Sequence, residues 1–108
     1  MQPRREGSSL RCEERPPRGP FAVVFAHGCD RPGIVAGLSS VLARVGANIL
    51  DISQTVLRGV FSMAMIVDLS GSSVGLAELR RLLEEEARRL GVEVSVHSLD
   101  LVKAMERP

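Results

Sequence analysis

Asp30, Arg31, Gly33 and Ile34 stand where an apolar run gives way to a helical pattern, in the stretch AHGCDRPGIVAG at residues 26–37. A helix that starts there offers unpaired backbone N–H groups, and these, with the helix dipole, hold an anion such as a carboxylate. Asp30 suits an N-cap, Pro32 is preset for a first helical turn, and Gly33 lets a ligand approach the backbone closely. Farther on, Asn48 and Asp51 supply an amide and a carboxylate suited to an ammonium group. A small zwitterion needs both partners. The expectation is therefore a receptor cleft with the Asp30–Ile34 loop on one side and Asn48 and Asp51 on the other.

Other chemistries fit these residues poorly. Gly28 and Gly33 have phosphate-loop spacing, but Ile34 and Val35 stand where Lys and Ser or Thr are required. Cys29 has no second thiolate nearby for a metal, and His27 lies two residues away on an extended chain. Arg31 followed by Pro32 does not make the arginine cradle of an acyl-phosphate hydrolase. Phe21, Phe25 and Phe61 alternate with aliphatic residues and lack a basic surround, so they read as core rather than as stacking platforms for RNA. No catalytic residue, metal ligand or cofactor is expected.

The elements around the loop follow from composition and periodicity. The chain has 108 residues, 44% hydrophobic and 25% charged, with a net charge of +1. That suits one small globular domain and argues against nucleic-acid or anionic-membrane partners. Residues 1–19 hold five Arg and three Glu and a single large aliphatic, Leu10, so they read as a disordered tail. The domain occupies residues 20–108. Cys12 and Cys29 are too few for a disulfide framework, no apolar run reaches membrane-spanning length, and a cytoplasmic location is expected.

From Phe21 to His27 a short apolar run reads as a buried strand. Ile34, Val35, Leu38, Val41, Leu42 and Val45 trace one helical stripe from Gly33, ended by Gly46. Residues 47–59 alternate imperfectly, with Asp51, Ser53 and Thr55 against Leu50, Ile52 and Val56. Residues 60–70 place Phe61, Met63, Met65 and Val67 on one side, and Arg58-Gly59 turns the two runs into a hairpin. A second stripe runs over residues 76–90, with Glu84–Arg88 and Glu85–Arg89 pairs on its outer face. Val92, Val94 and Val96 alternate inward in a last strand, and Leu101, Val102 and Met105 have helical spacing.

The order is βαββαβ, an α+β ferredoxin-like sandwich with antiparallel strand order 4-1-3-2 and both helices on one face. A short C-terminal helical extension or a partner chain is expected to cover the other face.

Residues 30–69, DRPGIVAGLSSVLARVGANILDISQTVLRGVFSMAMIVDL, resemble the first helix and following hairpin of the ACT domain, and the VHSLDLVKAM segment is similar to the end of its small stand-alone members. The resemblance covers residues 21–106. It implies a non-catalytic regulatory domain that dimerises and binds amino acids or other small metabolites at the subunit interface. By position it assigns Asp30 and Gly33, with Arg31 and Ile34 beside them, to the ligand loop. It also assigns Asn48, with Asp51 adjacent, to the second strand's start. Amino-acid-binding members often carry Asn where this chain has Asp30, so here the carboxylate holds the ammonium group or the ligand differs. The alternative is a dimerisation module that regulates a partner enzyme without a ligand of its own. Serine-phosphate phosphatases and formyl-tetrahydrofolate hydrolases begin with similar D-x-P-G-I domains. The tail before Phe21 and the short finish after Met105 lead us to expect a free-standing chain instead.

Overall fold

The computed structural model describes residues 16–106, so most of the expected tail, with Cys12, lies outside the described residues. The elements are β1 (Phe21–Cys29), α1 (Ile34–Val45), β2 (Asn48–Leu57), β3 (Val60–Asp68), α2 (Leu76–Leu90), β4 (Val92–Ser98) and α3 (Leu99–Glu106). One antiparallel sheet has the order β2-β3-β1-β4, as the apolar distribution predicts. β1 and β3 are central because both of their faces carry apolar side chains. They pair over their whole length, from Phe21 against Asp68 to Cys29 against Val60.

One sheet face carries Ala22, Val24 and Ala26 from β1, Phe61, Met63, Met65 and Val67 from β3, and Val92 and Val96 from β4. These pack against Ile34, Leu38, Val41 and Leu42 of α1 and Leu79, Leu83 and Ala87 of α2. Two glycines set close approaches in this layer. A Cβ on Gly28 would lie 3.2 Å from the Val92 backbone, and one on Gly37 would lie 2.9 Å from Leu90 of α2. On the solvent side of α2, Arg81 bridges Glu78 and Glu85, and Arg89 reaches Glu86. These partners replace the expected Glu84–Arg88 and Glu85–Arg89 pairs. Such exposed pairs contribute little, since water screens both charges.

The opposite face is apolar in part. Val23 is buried there, and α3 lies against β1 and β4, so the C-terminal segment does fold back over this side. Ser98 caps α3, its Oγ accepting the Leu101 N–H at 3.1 Å. Phe25 departs from the expectation. Its neighbours Val24 and Ala26 point to the helices, so the pleat turns Phe25 to this open face, half exposed and 6.1 Å from the His97 ring.

The imperfect alternation of β2 has a cause. The register against β3 shifts between Ile49 and Asp51, so Leu50 is the extra residue of a bulge. Residues opposite one another across an antiparallel pair share a face, so Ile49, Ile52, Gln54 and Val56 lie on the helix side with Val67, Met65, Met63 and Phe61. Asp51, Ser53 and Thr55 lie on the open side.

Gly46 closes α1 with φ 81° and ψ 19°, and its N–H bonds the Ala43 carbonyl. A Cβ there would sit 2.7 Å from the Gly71 carbonyl oxygen, so the site is closed to side chains by conformation and by space. Gly46→Ala is expected to cost at least about 1–2 kcal/mol from the left-handed backbone alone. That corresponds to a fall in Tm of roughly 4–8 °C per kcal/mol for a domain of this size, read by thermal denaturation. An unchanged Tm would contradict this reading.

Candidate functional site

The loop between β1 and α1 is built differently from the sequence expectation. α1 begins at Ile34, with Gly33 at the N-cap position in the left-handed region (φ 90°, ψ 0°), and no side chain caps it. Asp30 lies three residues before that position and Pro32 sits in the turn ahead of the helix, so neither takes the role its residue type suggested. Instead the Asp30 N–H donates to the Gly59 carbonyl at 2.8 Å, tying the loop to the β2–β3 turn. Arg31 leans over the C-terminus of α2. A Cβ on Gly91, the residue that ends that helix, would lie 3.1 Å from Arg31 Nη1. A guanidinium is well placed there, against the negative end of the helix dipole.

A groove of about 440 Å³ opens between the first turn of α1 and β2. Asp30, Arg31, Gly33 and Ile34 of the loop line it, and so do Gln54, Val56 and Phe61. The uncapped N–H groups of the first turn and the Asp30 carboxylate give it both signs of charge. Ile34, Val56 and Phe61 give it an apolar wall.

Asn48 and Asp51 are not part of this groove. β2 runs antiparallel to β3 and β3 antiparallel to β1, so the Leu57 end of β2 lies beside the loop and the Asn48 end lies beside Phe21 and Asp68. At roughly 3.3 Å per residue, the ten residues of β2 put Asn48 about 30 Å from the Leu57 end. The expected cleft between the two segments is therefore not formed within one chain. The signal for this was present in the helix length. Twelve residues of α1 carry the chain about 18 Å, away from the loop, before β2 starts. The same hairpin geometry brings Gln54, Val56 and Phe61 to the loop, residues that sequence reasoning left out.

Asn48 instead lines a second groove, of about 590 Å³, with Pro16, Pro17, Arg18, Leu50, Asp68 and Gly71. Asp68 is buried at its inner edge. Its Oδ1 accepts the Gly19 and Ser70 N–H groups, both at 3.0 Å, and its Oδ2 accepts the Ser70 hydroxyl at 3.1 Å. The Ser70 backbone N–H foremost, with the Ser70 hydroxyl and the Gly19 and Arg18 N–H groups, holds the carboxyl below its ordinary value, against the opposing effect of burial.

The profile of the ACT domain matches residues 21–97. A UPF0237 protein of Pyrobaculum aerophilum is 58% identical over 87 residues, spanning 81% of this chain and 97% of its own. An ACT domain protein from Streptococcus pneumoniae superposes with a TM-score of 0.67 at 36% identity, covering 77% of this chain and 93% of that one. The ligand-free regulatory subunit of aspartate kinase from Thermus thermophilus superposes with a TM-score of 0.57 at 26% identity, covering 71% of this chain and half of its own.

The Asp68 cluster generates a pH prediction. Its folded value lies below the 3.8 of the free side chain, so the stability it contributes is complete above about pH 4 and drains as pH falls through the lower folded value. Asp68→Asn is expected to lower the Tm at neutral pH and to lose less than wild type on acidification. Thermal unfolding followed from about pH 7 to about pH 2 checks this; parallel profiles for the two proteins would refute it.

Proposed function

The chain belongs to the ACT domain family, and from that premise we propose that it is a cytoplasmic, non-catalytic regulatory module that binds an amino acid as a homodimer. The observation that carries this reading is the unpaired edge of β2, with one half-site at each of its ends. Among the described residues β2 bonds only to β3, and its outward side exposes backbone donors and acceptors along ten residues free of Lys and Pro. Val56 and Leu57 are 55% and 71% exposed along it. One carbonyl of the other edge is occupied. Arg80 of α2 donates Nε and Nη2 to the Val96 carbonyl of β4, at 3.2 and 2.9 Å.

Antiparallel pairing of β2 with the same strand of a second copy, centred on Ser53, brings together the ends that one chain keeps apart. In that register the partner subunit's Asp51 lies opposite Thr55 on the open side, and the partner subunit's Asn48 end lies beside Leu57 at the loop end. A two-fold axis makes two such sites. In each, Asp30 takes the ammonium group, and Ile34, Val56 and Phe61 take the amino-acid side chain. The partner's Asn48 end takes the carboxylate. The Thermus thermophilus neighbour is described as the regulatory subunit of a kinase, which supports a role in which ligand binding adjusts an enzyme.

Titration calorimetry against a panel of amino acids tests the reading. One or more is expected to bind wild type, and Asp30→Ala and Asn48→Ala are each expected to weaken it by about tenfold or more, the loss of a charge-assisted contact. Mixing the two inactive variants is expected to restore part of the binding capacity, because hybrid dimers contain one intact site. Failure of every amino acid to bind, with a stable enzyme partner co-purifying, would favour the ligand-free interaction module. Binding that mixing does not restore would place the site within one chain.

A further inference from the structure

We propose that the groove at the Asn48 end of β2 is a carboxylate subsite and that Arg18 is its charge partner. Arg18 precedes the residues matched by the family profile. It is nonetheless fixed to the fold on its C-terminal side. The Gly19 N–H donates to Asp68 at 3.0 Å, and the Leu69 N–H donates to the Pro20 carbonyl at 2.8 Å. These bonds hold the backbone of Arg18 against the end of the sheet, beside Asn48 and Gly71 in a groove of about 590 Å³. The size suits a small molecule.

The charges in this groove are set up for an anion. Among the described residues Arg18 makes no ion pair. Asp68, the one acidic side chain in the lining, already accepts from Gly19 and from Ser70 twice, so its charge is satisfied locally. That leaves the guanidinium of Arg18 and the carboxamide of Asn48 lining the same groove, donors that match the two oxygens of a carboxylate. Leu50, displaced by the bulge, and Pro16 and Pro17 give the groove apolar walls.

The ligand class that follows is a small carboxylic acid with a short apolar body. The carboxylate goes to Arg18 and Asn48, and an ammonium group goes to the partner subunit's Asp30. The subsite itself stands on this groove alone, whereas its place in an amino-acid site rests on the paired-strand reading above.

The experiment is a titration of the full, isotope-labelled chain followed by amide NMR, with acetate, methylammonium and chloride as separate probes. Acetate is expected to give saturable shifts at Asn48 and Gly71 that methylammonium and chloride do not give. Arg18→Ala is expected to weaken acetate about tenfold, with Arg18→Lys between the two, since it keeps the charge and loses the fork. Equal shifts with chloride, or an Arg18→Ala chain that titrates like wild type, would overturn the proposal. If Arg18→Ala leaves acetate and amino-acid binding intact while Asp30→Ala abolishes the latter, the paired-strand site stands and the Arg18 assignment falls. If acetate binding depends on Arg18 while no mixture of variants restores amino-acid binding, the subsite stands and the shared site falls.

Discussion

The pairing of β1 with β3 decides where every other part of this chain can lie. Its register runs from Phe21 against Asp68 to Cys29 against Val60, without a bulge. At one end it brings the loop before α1 beside the turn after β2, close enough for the Asp30 N–H to bond Gly59. At the other it brings the start of the domain beside Asp68, where Gly19 and Leu69 lock the two segments together. Both grooves are products of this one ladder. A shift of one residue would turn Ala22, Val24, Phe61 and Met65 out of the core and separate the loop from the turn.

Because β2 hangs on the outside of that ladder, its ends line the two grooves and its open backbone edge runs between them. The middle of the strand contributes an unpaired backbone and side chains such as Ile52, 40% exposed on the helix side. The ends contribute polar groups beside glycine-rich turns. The bulge at Leu50 divides the two roles, pushing an aliphatic residue toward the Arg18 groove while the residues after it return to regular pairing. An amide and a carboxylate at residues 48 and 51 are thus best understood as one end of a long edge.

Much of the fold was legible in the sequence. The α1 stripe from Ile34 to Val45, the alternation of Phe61 to Val67 and the clean inward Val92, Val94 and Val96 each report a side chain's distance from water, which is what periodicity encodes. The strand order followed from which runs were apolar on both faces. Less was legible at the site. Residue types showed that Asp30, Gly33 and Asn48 could bind polar groups, but not that α1 carries the chain away from the loop before Asn48 is reached. Asp30 looked like a cap because caps are local. The left-handed Gly33 restarted the count and left the carboxylate out of reach of the helix. Gln54 and Val56 carried no signal of their own, since they reach the groove only through register. Phe25 misled because an aromatic in a central strand is usually core, and here the pleat and a short α3 leave it half covered.

The guanidinium of Arg80 on the Val96 carbonyl has a consequence for growth. A sheet with two receptive borders can add neighbours at both and lengthen without limit, as fibrils do. With one β4 carbonyl bonded from within its own chain, the border at β2 is the less obstructed of the two. A side chain far from either groove thereby favours growth at one border over growth at both.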